Sequence, residues 1–189
     1  MSHPDLSDTL AAGAPSAVIA RAAAVRLVLF DVDGTLTDGR LFLGDGGAEF
    51  KVFDAKDGQG VVMLRAAGLE VGIITGRASP VVTERMAALG VRHVHQAQAR
   101  KLEALAQLKA ELGVADHEIA YVGDDLPDVA VLRQVGLALC PADAHPRVQR
   151  VVHWVLPREG GRGAGRATAE LILAARGLLD SLHERLEGQ

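Results

Sequence analysis

Aromatic side chains are scarce in this chain, at 3% of its residues, with one Trp and one Tyr. A single-strand nucleic-acid platform needs ring after ring to stack bases, so the composition argues against one. Positive charge is not in excess either: 20 Lys and Arg stand against 24 Asp and Glu, for a formal net charge of −4. That disfavours a general phosphate-backbone binder while leaving room for a local basic pocket. The one cysteine, Cys140, can form no internal disulfide and fits a reducing compartment. Its place just after the apolar run Val135–Leu139 predicts a buried bystander. No apolar run approaches the ~20 residues of a membrane span. The first residues carry Asp5 and Asp8 and no basic leader, a poor secretory signal. The expectation is a cytoplasmic protein that engages neither nucleic acid nor membrane.

What is present is ordinary globular material: 189 residues, 49% hydrophobic and 23% charged, enough for one sizeable domain. Residues 1–14 are small and polar and predict a flexible N-terminus; 15–189 predict a single domain with no internal repeat. Apolar runs suited to buried strands fall at about 25–30, 69–74, 91–94, 119–122, 135–139 and 153–156. Between them lie helical patterns: 17–23, then 57–68 with Asp57 as a candidate N-cap, Pro80 to Leu89, 100–112, and, after a flexible glycine-rich loop at 160–166, a last amphipathic helix over 168–186. Two short runs flank Asp45-Gly46 within about 40–53 and predict a β-hairpin. It holds Phe42, Phe50 and Phe53, which suits a flap or an oligomer contact, since an isolated hairpin is barely stable. Strands alternating with helices imply right-handed βαβ units. The fold class is therefore α/β, a doubly wound, Rossmann-like, mostly parallel sheet with a small hairpin.

The chemistry gathers where strands end. Leu27-Val28-Leu29-Phe30 stops at Asp31-Val32-Asp33-Gly34-Thr35. Residues i and i+2 of an extended chain point the same way, so Asp31 and Asp33 can converge. Two close carboxylates repel unless a cation lies between them, and Mg²⁺ favours such oxygen ligands beside a phosphate. One carboxylate then suits a nucleophile and the other a proton donor; a solvated acidic turn would leave the same pattern. After the next strand, Thr75-Gly76-Arg77 offers a hydroxyl, close backbone approach and a following helix start, a phosphate cradle or a plain cap. Lys101 opens a helix and could neutralise phosphoryl oxygens or stand in solvent. Gly123-Asp124-Asp125 ends the fourth strand, with Asp128 a turn on; one of these acids could complete a metal site with Asp31. In parallel strands these positions share one rim.

This ordered set (Asp-x-Asp-x-Thr, Thr-Gly-Arg, Lys, Gly-Asp-Asp-x-x-Asp) resembles the haloacid dehalogenase phosphohydrolase superfamily over about residues 25–140. A closer resemblance, over nearly the whole chain, is to the 3-deoxy-D-manno-octulosonate 8-phosphate phosphatases. It rests on Asp31–Gly39, Phe53–Gly58, Ile74–Arg77, Tyr121–Asp125, Ala142–Pro146 and Gly160–Ala164. The resemblance implies a domain without a large cap, a cytoplasmic homotetramer that encloses each site with hairpins, and a role in lipopolysaccharide precursor synthesis. It implies a sugar-acid phosphate substrate and a Mg²⁺ cofactor held by Asp31, the Asp33 carbonyl and Asp124. Asp31 would be the nucleophile and Asp33 the acid and base, with Thr75 and Lys101 holding phosphoryl oxygens. Lys56, Asp57 and Gly58 match the substrate loop; Gly76, Arg77 and Arg85 match positions toward the sugar acid. Arg162 and Arg166, in a C-terminal segment over about 158–189, would reach a neighbouring site. Two positions depart from the family pattern: Ala167, where relatives commonly carry Glu, and Val62, where some carry a basic residue. A receiver-type signalling domain combines similar residues, but its lone phosphorylated Asp follows strand three. A non-catalytic oligomeric scaffold would have no use for the full set.

Overall fold

The computed structural model describes Leu6 and residues 8–188. The main sheet contains β1 (Leu27–Phe30), β4 (Glu70–Ile74), β5 (His93–His95), β6 (Ile119–Val122), β7 (Leu137–Cys140) and β8 (Trp154–Val155). All are parallel, in the order β5-β4-β1-β6-β7-β8. The order moves outward from β1 on one side and restarts on the other, so the topological switch lies between β1 and β6. Ligand crevices of open α/β sheets form there, beyond the carboxyl ends.

Helices cover both faces, and the strand periodicity shows it. Val28 and Phe30 of β1 pack with α1 (Ser16–Ala23), α2 (Ala55–Ala66), α3 (Pro80–Ala88) and α7 (Ala164–Ala175). Leu27 and Leu29 face α4 (Lys101–Leu112), α5 (Val129–Leu132) and α6 (Pro146–Gln149). A strand buried on both faces reads as an unbroken apolar run, which is why β1, β6 and β7 stand out in the sequence. Each large aliphatic side chain so buried contributes about 1.5–3 kcal/mol. Cys140 belongs to this core, and burial pushes its thiol up to about 12, leaving it unreactive.

Three local expectations change. The helix expected over 168–186 is two: α7, and α8 (Leu179–Glu187) after Gly177 turns the chain at φ +66°. The flexible glycine loop at 160–166 is short, because α7 already begins at Ala164 and is buried along most of its length. The N-cap of α2 is Asp54, whose carboxylate accepts from the Lys56 N–H at 2.6 Å, and Asp57 lies inside the first turn. The hairpin is present as β2 (Phe42–Leu43) and β3 (Glu49–Phe50), and exposes Leu41, Phe42, Leu43, Phe50 and Val52. Of the N-terminal stretch, residues 1–5 and 7 lie outside the described range; Leu6 and Ala11 are buried, and the Leu10 N–H donates to Glu170. Among the described residues, no helix is long and apolar enough to cross a membrane.

Candidate active site

Asp31 leaves β1 directly, and Asp124 stands two residues beyond β6, its neighbour across the switch. Gly34 makes their approach possible. It holds φ +93°, and a Cβ there would lie 2.1 Å from Asp124 Oδ2. Thr35 Oγ1 donates to Asp124 Oδ1 at 3.1 Å. Carboxylate oxygens of Asp31, Asp124 and Asp128 all lie within 4.8 Å of one another.

Lys101, at the first position of α4, reaches across the rim. Its ammonium donates to Asp31 Oδ1 at 2.7 Å and to Asp128 Oδ1 at 2.6 Å. Tyr121 donates its hydroxyl to the same Asp128 oxygen at 2.6 Å, and the N–H groups of Asp124 and Asp125 meet Oδ2 at 3.1 and 3.2 Å. Both Asp128 oxygens are thus engaged within the protein, so Asp128 orients Lys101 and the 124–125 turn. Asp31 and Asp124 are freer to take a ligand. The Asp33 carbonyl accepts no hydrogen bond among the described residues, which leaves it open as a third oxygen donor.

Electrostatics points the same way. Burial first, then the Asp128 charge, pushes Asp31 up to about 6 against the pull of Lys101. Burial, then Asp31 and Asp128, pushes Asp124 up to about 8. Burial opposes the Lys101 charge, yet Asp31 and Asp128 outweigh it and hold its pKa above the usual value. One ammonium balances one of three clustered carboxylates. A hard divalent cation would supply the remaining charge, and the all-oxygen donor set suits Mg²⁺.

The expected residues do not all meet. Asp31, Lys101 and Asp124 share one cluster. Thr75, buried, directly follows β4, which pairs with β1, and its N–H donates to the His95 carbonyl at 2.9 Å. Gly76 leaves open space where a Cβ would sit. Asp33 instead meets Lys51 and lies 3.8 Å from Arg77 Nε. A second group gathers at the start of α2. Asp57 turns its carboxylate to the N-terminus of α7, accepting from Arg166 N–H at 2.8 Å and Gly163 N–H at 3.3 Å, while burial raises it to about 6. Gly58 makes room for Arg85, whose Nη2 would lie 2.2 Å from a Cβ there; the guanidinium sits 5.9 Å over the Phe53 ring. Lys56 is exposed beside them. Arg166 pairs with Glu170 at 2.6 Å inside its own chain, and that contact occupies a guanidinium expected to reach outward. Ala167 is buried, so the carboxylate that meets Arg166 comes from Glu170, a turn on. Arg162 is exposed, 3.8 Å from Glu159, and Val62 is exposed on α2.

Lys51 and Glu49 were not expected. Glu49 Oε1 lies 3.5 Å from Lys51 Nζ and 3.2 Å from Arg77 Nη2. Strand alternation carries the signal: Glu49 and Lys51 share one face opposite Phe50, so the hairpin turns two charges inward.

A model of the haloacid dehalogenase-like hydrolases matches residues 88–164. The chain is 44% identical over 163 residues to the 3-deoxy-D-manno-octulosonate 8-phosphate phosphatase of Escherichia coli (strain K12), covering 86% of this chain and 87% of that protein. The crystal structure of the Yersinia pestis phosphatase of that name superposes with a TM-score of 0.90 at 40% identity, covering 94% of this chain and 96% of the other. One from Moraxella catarrhalis, in complex with magnesium ion, phosphate ion and KDO, gives 0.87 at 36% identity over 89% of this chain and 97% of that one.

Proposed function

Since the chain belongs to the haloacid dehalogenase-like hydrolases, and within them to the 3-deoxy-D-manno-octulosonate 8-phosphate phosphatase family, we propose that it hydrolyses that sugar-acid phosphate to the free sugar acid and phosphate. The observation that carries this reading is the meeting of Asp31, Lys101, Asp124 and Asp128 at the β1/β6 switch. Asp31 attacks phosphorus and Asp33 protonates the departing sugar oxygen. Asp33 then takes a proton from the water that hydrolyses the aspartyl-phosphate. Lys101, held by Asp128, keeps its charge beside the phosphoryl oxygens; the Thr75 hydroxyl and Gly76 offer the opposite wall. Asp31, Asp124 and the Asp33 carbonyl would hold Mg²⁺, which when bound would offset the charge of nucleophile and phosphate.

Arg77, half-exposed beside the rim, is the residue we assign to the substrate carboxylate. A panel of esters tests both substrate and assignment. The kcat/KM for 3-deoxy-D-manno-octulosonate 8-phosphate is expected to exceed that for neutral sugar phosphates by about 100-fold, and Arg77→Ala to erase about tenfold or more of that margin. A preference for neutral sugars would move the assignment to another sugar phosphate of the same chemistry.

We place the reaction in the cytoplasm, where a lone buried cysteine is at home, as a step in lipopolysaccharide precursor synthesis. We also propose a homotetramer. Leu43, 70% exposed, and Phe50, 66% exposed, are apolar surface that a neighbouring copy would cover. The mass in solution is then near four times 19.8 kDa; a monomer would overturn this.

A further inference from the structure

The carboxylate of Asp33 is held from the hairpin arm. Lys51 follows β3, its side chain is 1% exposed, and its ammonium hydrogen-bonds Asp33 Oδ1. An ammonium is buried at a cost unless paired, and this one is shared with Glu49 at 3.5 Å. Glu49 in turn holds Arg77 at 3.2 Å, so Lys51 is fixed from both sides.

We propose that Lys51 is a positioning residue that anchors Oδ1 of Asp33 and so presents Oδ2 to the reacting oxygens. It rests on the reading of Asp33 as acid and base. A lysine ammonium only donates. The Lys51 ammonium occupies Oδ1, so Oδ2 is the oxygen left to exchange a proton with substrate and water. Arg77 Nε, 3.8 Å from Oδ2, is beyond hydrogen-bond range and leaves that oxygen open. In the first step the bond from Asp31 to phosphorus forms as the bond from phosphorus to the sugar oxygen breaks, and the Oδ2 proton passes to that oxygen. In the second, water loses a proton to Oδ2 as its oxygen attacks phosphorus, and the bond to Asp31 breaks. Oδ1 stays on Lys51 throughout, so the carboxyl group does not rotate between steps. The hairpin arm is therefore part of the acid–base geometry, and not merely a wall of the site.

The test is leaving-group dependence in the full-length, magnesium-loaded protein. Single-turnover phosphorylation of Asp31 is measured with the sugar-acid phosphate, whose alkoxide needs a proton, and with p-nitrophenyl phosphate, whose phenolate does not. Lys51→Met is expected to slow the first by about 30-fold or more and the second by less than about threefold, with KM nearly unchanged. Lys51→Arg, also a pure donor, restores most of the loss. Should Lys51→Met not fold, the same ratio is read in Lys51→Gln, whose uncharged amide can also accept and so anchors Oδ1 less firmly. Equal losses on both esters in a folded variant overturn the proposal. Asp33→Asn separates the two layers. If it slows only the sugar ester while Lys51 variants slow both, the Lys51 role alone falls; if it shows no preference, the acid–base reading falls first.

Discussion

Asp31→Asn is expected to cut turnover by at least about 10⁴-fold and to leave no trappable aspartyl-phosphate. The amide is isosteric but cannot bond to phosphorus as a carboxylate does. The fold should not suffer. Burial and Asp128 already disfavour the charge on Asp31, and Lys101 keeps its 2.6 Å contact to Asp128 when that charge is gone. The melting temperature of the ion-free variant at pH 8 should therefore equal or exceed that of the parent. Turnover within tenfold of the parent would place the nucleophile elsewhere.

Removing the metal should be as severe for activity and should also show in stability. With a chelator, turnover is expected below a thousandth of the magnesium-loaded rate. At an ion concentration about 100-fold above its Kd, binding adds about 2.7 kcal/mol, which for a chain of this size raises the melting temperature by roughly 5–10 °C. The increment depends on pH in a definite direction. In the ion-free folded protein Asp124 is pushed up to about 8 and Asp31 to about 6, both above their unfolded values near 3.8. Between pH 4 and 8 the folded state then binds more protons than the unfolded, so ion-free stability falls as pH rises through that window. Mg²⁺ needs the ionised carboxylates, so its stabilisation grows over the same window. Melting curves at pH 5 and pH 8, with and without the ion, should show the larger difference at pH 8; a larger one at pH 5 would remove these carboxylates from the metal site.

The legible parts of the molecule were those written locally. Leu27–Phe30 is apolar because it is buried on both faces, and Asp31 stands out against it. The same contrast marks Thr75 after β4 and Asp124 after β6. Parallel topology then brings them to one rim without further information. What the sequence hid is recognition across distance. Nothing near Asp57 reveals that its carboxylate serves the N-terminus of α7, more than 100 positions on. Arg166 looks free until α7 places Glu170 one turn beyond it. The continuous helical pattern over 168–186 masks a break, because Gly177 interrupts neither apolar stripe. Lys51 was passed over because its partner, Asp33, lies across a loop and its neighbours suggested only a surface arm.

The C-terminal third also lies against the catalytic loop. A Cβ at Gly160 would come within 1.9 Å of the Gly34 carbonyl oxygen, and the Gly161 N–H donates to the Thr35 carbonyl at 3.0 Å. During synthesis, the loop that carries Asp31 leaves the ribosome well before residues 160–161 do. Closure between points so far apart is slow. A nascent chain stalled before Gly160 would hold every acid of the cluster and still lack the brace that shapes it.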